Sequence, residues 1–151
     1  MDGGRNSVLV TGLLLYVLLA AGCVQAAEAA TLVLTPPTGC NPSAVTGCTV
    51  MGAGYRATLK FGSSPRTLTP LVLSLKSDPA PIHAEVQFIM KGMNMGDNRF
   101  AFRSEGYGAA KVWVARAMIP ACASGRADWI AVVILAYPKR QVEMRVPFTT
   151  P

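Results

Sequence analysis

Three methionines, Met90, Met93 and Met95, fall within six positions of the chain, where a strand-like run ends. Met93 and Met95 are two residues apart, so in an extended segment both thioethers project to the same side. Gly92 and Gly96 stand beside them and allow the backbone to bend around a small ligand. Thioethers are soft ligands that select Cu(I), and they bind it without losing a proton. The spacing therefore favours a soft-metal site at Met93 and Met95.

The same methionines have an ordinary alternative use, because methionine fills irregular gaps in protein cores and adapts to partner surfaces. Met90 has the parity of a core residue and is expected to pack inside the fold. Met93 and Met95 could likewise be structural, or could contact another protein. Both interpretations remain open from the sequence.

The chain has four cysteines, and Cys122 is the candidate for a third sulfur ligand. Cys40 and Cys48 are separated by turn-forming residues and would meet an oxidising compartment after export, so we expect them to form a disulfide. Closing so short a loop stabilises a fold by about 2–3 kcal/mol. Cys122 is then left over, either as a ligand or redox thiol beside the methionines or as a buried inert thiol.

The start of the chain has the composition of an export signal. Residues 8–22 form an unbroken apolar run behind Arg5. The run has about 15 residues, whereas a membrane span needs about 20. We therefore predict a signal peptide over residues 1–22.

The sequence LAAGC, residues 19–23, resembles a lipobox and favours lipid attachment at Cys23. Cleavage at an Ala-x-Ala-like site shortly after Cys23, or an uncleaved anchor, are the alternatives. Residues 23–30 would form a tether and residues 31–151 the folded domain. The predicted location is the periplasmic side of a bacterial membrane, either lipid-anchored or secreted.

Beyond residue 30, apolar and polar residues alternate almost everywhere, and no helical period is convincing. In YRATLKF, for example, Ala57 and Leu59 alternate with Arg56 and Thr58, as in a half-buried strand. Turn formers separate the runs. Seven or eight short strands in about 120 residues predict an all-β, antiparallel, immunoglobulin-like sandwich. The predicted strands cover residues 31–35, 55–61, 71–76, 85–90, 99–103, 109–119, 129–137 and 141–148.

Counting hairpins predicts which loops meet. Successive connections between antiparallel strands lie at alternate ends of a sheet. The connection over residues 91–98 and the connection over residues 120–127 should therefore share one end, which would place Cys122 near the methionines. His83, the single histidine, opens the strand before the methionine connection and should lie about 20 Å away.

The charged residues indicate a surface rather than a catalytic or nucleic-acid site. The formal charge is +6, but the cations are scattered, which favours weak attraction to anionic headgroups over nucleic-acid binding. Arg99, Arg126 and Asp128 flank the two connections and are expected to form a bridge between them. No nucleophile and base pair is in reach, because His83 is distant from Cys122, so an enzyme is not expected.

The segment FIMKGMNMGDNRF, followed later by PACASGRADW and a closing strand, resembles the YtkA-like and FixH-like exported domains. Residues 92–95 stand where that family has its G-M-x-M element, and residues 106–108 where it has G-x-Y. The resemblance covers residues 70–148. It implies an immunoglobulin-like sandwich on the outer side of the cytoplasmic membrane, associated with copper handling and cytochrome oxidase assembly. This chain lacks a histidine near the methionines, which favours Cu(I) over Cu(II).

The sequence thus predicts an exported, lipid-anchored protein that binds or delivers Cu(I) through Met93, Met95 and Cys122. The resemblance implies that it does so in support of respiratory oxidase assembly. The expected partners are the membrane surface, through the lipid, and a membrane protein or cuproprotein. The alternative is an interaction module without metal, in which the methionine-rich loop docks on a membrane-protein partner.

Overall fold

The computed structural model describes residues 30–108 and 111–151, and within them the chain forms ten strands and no helix. The predicted signal peptide and the predicted lipid attachment at Cys23 lie outside these residues. No helix in the described part is long and apolar enough to cross a membrane. The strands are β1 (Thr31–Leu34), β2 (Cys48–Gly52), β3 (Tyr55–Phe61), β4 (Pro70–Asp78), β5 (His83–Ile89), β6 (Arg99–Ala101), β7 (Arg103–Glu105), β8 (Val112–Met118), β9 (Asp128–Tyr137) and β10 (Arg140–Thr149).

The strands make a sandwich of two five-stranded sheets. Sheet A has the order β1-β10-β9-β5-β6, and sheet B has the order β2-β3-β4-β8-β7. All neighbours are antiparallel except β1 and β10, which run parallel. The expectation of a purely antiparallel sandwich is therefore wrong at one edge, because β1 reaches β10 from a distant part of the chain and not through a hairpin.

The expected strands are present, and two features raise their number above seven or eight. The short strand β2 was not predicted. The run over residues 99–103 divides at Phe102, which is 3% exposed. Its amide still donates to Ala84 O of sheet A at 2.8 Å, whereas Arg103 already pairs with Val114 of sheet B. The chain therefore changes sheets at Phe102 while keeping its direction.

The inward positions of both sheets form one apolar core, as the alternation predicts. At one end of this core, Phe88 lies 5.9 Å from Phe148, and Phe148 lies 5.1 Å from Phe61, between ring centroids. The edge-to-face geometry of these pairs suits aromatic rings. This cluster supports the loops at that end.

Four connections and the last residues of β10 lie at this same end, which we call the sulfur end. The strand register shows this, because β5 and β8 end at the sulfur end, and β9 and β4 begin there. It includes the methionine loop (residues 91–98) and the Cys122 loop (residues 120–127). The predicted disulfide between Cys40 and Cys48 is confirmed, with a Cα–Cα distance of 4.9 Å, and it closes a third loop at this end.

Candidate metal centre

A tight turn returns the chain from the core to the surface at the start of the methionine loop. The amide of Met93 donates to Met90 O at 3.2 Å. Gly92, the third residue of the turn, has a φ of +78°, which a type II turn requires at that position and which glycine adopts without cost. Met90 is only 2% exposed and packs in the core. Met93 is therefore the first methionine of this segment that solvent can reach.

Asn98 fixes the other end of the methionine loop. Its side-chain oxygen accepts from Phe88 N at 2.7 Å, and its amide donates to Phe88 O at 2.9 Å and to Met95 O at 3.3 Å. The side chain thus takes the place of a strand partner for Phe88. These bonds hold the loop against the end of β5.

Replacing Asn98 by alanine is expected to destabilise the fold by about 1–3 kcal/mol, since partly buried backbone groups lose their partners. Urea unfolding would measure the change. Asn94→Ala is the matched control, because Asn94 makes a single exposed bond, to Gly96 N at 2.9 Å. Equal losses in the two variants would show that Asn98 does not hold the loop.

The structure brings Cys122 beside Met93. Cys122 Sγ lies 3.8 Å from Met93 Sδ, across the gap between the two loops. Both side chains are half-buried and pack against the edge of the core. The two residues are 29 positions apart in the chain, so their contact results from the fold.

Ser124 joins this pair and was not anticipated from the sequence. Its hydroxyl lies 2.9 Å from Cys122 Sγ and 3.7 Å from Met93 Sδ. The only hint in the sequence is a hydroxyl two residues after the cysteine, in CAS. Ser124 thus orients the thiol towards the methionine.

Met95 lies on the same loop but is not among the hydrogen-bond contacts of Cys122. It is half-buried, like Met93, and packs against the core edge. Its backbone oxygen is held by Asn98. A third sulfur ligand from Met95 would therefore come from a side chain that is open to solvent on one side.

The sulfur geometry fits a shared soft ion. Two sulfurs at about 2.3 Å from one metal, at tetrahedral or trigonal angles, lie about 3.8–4.0 Å apart. The Cys122 Sγ to Met93 Sδ separation of 3.8 Å matches this spacing. A thiolate and a thioether are soft donors of the kind that select Cu(I).

The hydroxyl of Ser124, hydrogen-bonded to the sulfur, is the main reason why the pKa of the Cys122 thiol lies below its ordinary value. Partial burial opposes this shift, while the backbone amides of Ser124 and Arg126 and the charge of Arg126 reinforce it. The thiolate is the form that binds metal. The site therefore favours the metal-binding form of the cysteine.

Replacing Ser124 by alanine should raise the pKa of the Cys122 thiol, since the largest cause of the lowering is removed. The pH midpoint of iodoacetamide labelling of metal-free protein, read on the Cys122 peptide by mass spectrometry, should move to higher pH. Ser43→Ala, a change in the disulfide loop, serves as control. An unchanged midpoint in Ser124→Ala would contradict the assigned role.

Arg126 connects the two loops. Its Nε donates to Asp128 Oδ1 at 2.8 Å, its Nη2 pairs with the other carboxylate oxygen, and its Nη1 donates to Lys91 O at 3.1 Å. The guanidinium holds the pKa of Asp128 below its usual value. The Cys122 loop and the methionine loop are thereby tied together beside the sulfurs.

Arg99 takes no part in this bridge, contrary to the expectation. It pairs with Glu85, and its Nε lies 3.3 Å from Asp97 Oδ1. The reason is its register: Arg99 is paired with Gln87 across β5 and lies diagonally from Glu85. Its side chain is therefore on the outer face of sheet A.

The single histidine is not near the sulfurs. His83 opens β5 at the other end of the sheet and lies 3.9 Å from Glu85. Within residues 30–108 and 111–151, no three histidine, cysteine or carboxylate side chains come together in a way that could hold a metal ion. The candidate centre relies instead on methionine sulfur together with Cys122.

A groove of about 640 Å³ opens next to the bridge. Its lining includes Lys91, Asp128, Cys40 and Phe148. Trp129 also lines it, and the indole Nε1 of Trp129 is buried without an acceptor among the described residues. Met93, Met95 and Cys122 do not line the groove, so the groove lies beside the candidate centre and is not the centre itself.

Comparison of the chain with protein-family models, curated proteins and solved structures finds no match.

Proposed function

We propose that the protein binds one Cu(I) ion through Cys122, Met93 and Met95 and carries it as cargo outside the cytoplasm. The single observation that carries this proposal is the contact of 3.8 Å between Cys122 Sγ and Met93 Sδ, made by two loops that are distant in the chain. In this function the fold is an immunoglobulin-like sandwich of the YtkA-like or FixH-like type, lipid-anchored at Cys23 on the periplasmic side of a membrane.

The chemistry of the donor set supports Cu(I) over other ions. Thioethers bind hard ions poorly, and the site offers no imidazole. A thiolate with two thioethers gives a site of low coordination number that is partly open, because Met93, Met95 and Cys122 are all half-buried. An open soft site suits an ion that must be passed to another protein.

The location of the site supports transfer and not permanent storage. The sulfurs lie at the sulfur end of the sandwich, at a loop surface, and not between the sheets. Residue 30, where the described chain begins, lies at the opposite end, since its neighbour Thr31 pairs with Gln141 at the start of β10. A tether at the amino terminus would leave the sulfurs free to meet a recipient.

An anaerobic competition titration tests the proposal. Reduced full-length protein would be titrated against a chromophoric Cu(I) chelator. We expect one equivalent of Cu(I) to be withdrawn from the chelator, and the same equivalent to be lost in Met93→Leu/Met95→Leu. Leucine keeps the apolar volume but has no donor atom, so the folded loop should persist.

The alternative function, docking of the methionine loop on a membrane-protein partner without metal, predicts a different result. In that case no Cu(I) would be withdrawn from the chelator, and the double leucine variant would still lose the partner in a pull-down from membranes.

A further inference from the structure

The outer face of sheet B carries more positive charge than the strands of sheet A do. The alternation of the strands places five cations on it and two carboxylates, Asp78 and Glu105. Both carboxylates lie towards the end opposite the sulfurs. The cations are Arg56, Lys60, Lys76, Arg103 and Arg116.

Within residues 30–108 and 111–151, no carboxylate lies within ion-pairing distance of these cations, although Asp78 is the cross-strand neighbour of Arg56. Every ion pair in residues 30–108 and 111–151 uses a cation of sheet A or of the sulfur end: His83, Arg99, Arg126 or Arg145. The strands of sheet A carry as many carboxylates as arginines, namely Glu85, Asp128 and Glu143 against Arg99, Arg140 and Arg145, whereas sheet B has an excess of positive charge on its solvent-facing side. An uncompensated positive face attracts an anionic surface.

One corner of the same face is apolar. Pro70 pairs directly with Met118 across the strands, and Val72 pairs with Arg116 two residues further along β4. Val72 is 45% exposed and Met118 39% exposed. Gly62, whose amide donates to Val72 O at 2.8 Å, leaves the other side of Val72 uncovered. Apolar side chains therefore project beside the arginine.

Leu68 extends this corner in a strained conformation. Its φ is +53°, a region that costs energy for a residue with a side chain. It is nevertheless 63% exposed, and its amide donates to Ile119 O at 2.9 Å, next to the end of β8. The strain is not offset by burial of the leucine, and the turn holds this apolar side chain out at the surface.

We propose that the outer face of sheet B is a binding surface for an anionic lipid bilayer, with Leu68, Val72 and Met118 inserted among the headgroups. A planar anionic surface can satisfy all five cations at once, although they are spread over four strands. Apolar residues at the interface plane add to such electrostatic attraction. This surface is independent of the metal site and would act whether or not the protein binds copper.

Hydroxyl-radical footprinting of the full-length protein tests this surface. The protein would be reconstituted in vesicles with equal parts of phosphatidylglycerol and phosphatidylcholine, and in phosphatidylcholine alone. Any contribution of the amino-terminal segment is the same in both kinds of vesicle, so it cancels in the comparison. We expect Leu68, Val72 and Met118 to be protected from oxidation only with the anionic lipid. Val33 and Tyr107, exposed on sheet A and at the opposite end, are internal controls and should not change.

Charge variants decide whether the face or only the net charge matters. Each cation at the surface contributes roughly fivefold to partitioning. Lys60→Gln/Lys76→Gln/Arg116→Gln should therefore raise the anionic lipid fraction needed for protection and weaken partitioning by about a hundredfold. The matched variant Lys139→Gln/Arg140→Gln/Arg145→Gln removes the same charge elsewhere and should keep the protection.

Several results would overturn the inference. Absence of protection on anionic vesicles would do so, as would equal protection on neutral ones. Equal weakening in the two charge variants would reduce the effect to net charge. Protection of the same residues by soluble polyglutamate, at matched charge, as strong as by vesicles would assign the face to an acidic protein instead.

Discussion

Replacing Cys122 by alanine is expected to lower the affinity of the protein for Cu(I) by at least about a hundredfold. Replacing a residue that only supports a metal ligand typically lowers the metal affinity about 10–100-fold. Replacing a ligand itself should therefore lower the affinity more. Cys122 is the single anionic donor of the proposed set, and Met93 Sδ lies 3.8 Å from its sulfur. Competition with a Cu(I) chelator at fixed pH would measure the affinity.

Matched variants make this result specific. Cys23→Ala removes a thiol outside the described part of the chain and should leave the affinity unchanged. Met51→Leu/Met118→Leu removes two methionines that are exposed elsewhere, at 59% and 39%. The proposed site is wrong if Cys122→Ala retains affinity within a few-fold of the parent, or if Cys23→Ala causes the larger loss.

Replacing Phe88 by alanine is expected to destabilise the fold by about 3–5 kcal/mol. Phe88 is fully buried. Its ring centroid lies 6.2 Å from that of Phe100 and 5.9 Å from that of Phe148. Its backbone also carries the two bonds to Asn98 that hold the methionine loop. Urea unfolding monitored by fluorescence gives the free energy, since a domain of this size is suited to two-state analysis.

Phe100→Ala is the control for this prediction, because Phe100 is only half-buried at the edge of the same cluster. Phe100→Ala should lower the free energy of unfolding clearly less than Phe88→Ala does. A Phe88→Ala variant that is no less stable than Phe100→Ala would show that the aromatic cluster does not support the sulfur end.

Alternation alone located most of the fold. Strand β3 has the predicted bounds, Tyr55–Phe61, because its inward and outward residues differ sharply in polarity. Strand β2 escaped notice, since it is short and begins at the disulfide cysteine Cys48. The change of sheet at Phe102 could not be read from the pattern, because an inward apolar residue suits either sheet.

The candidate site was predicted in part, by topology and not by motif. Counting hairpins placed Cys122 with the methionine loop, and the count holds because β6 and β7 run in one direction through the change of sheet. The sequence could not show that the Arg99 side chain lies on the outer face of sheet A, because the side of a strand that a residue occupies depends on register. Ser124 was missed because a lone hydroxyl in a loop carries no pattern.

X-ray absorption at the copper edge, on full-length protein loaded anaerobically with one equivalent of Cu(I), tests the central claim most directly. The account predicts a first shell made only of sulfur, near about 2.3 Å, that loses sulfur neighbours in Met93→Leu/Met95→Leu. A shell dominated by nitrogen or oxygen, or one that is unchanged in that variant, would contradict it.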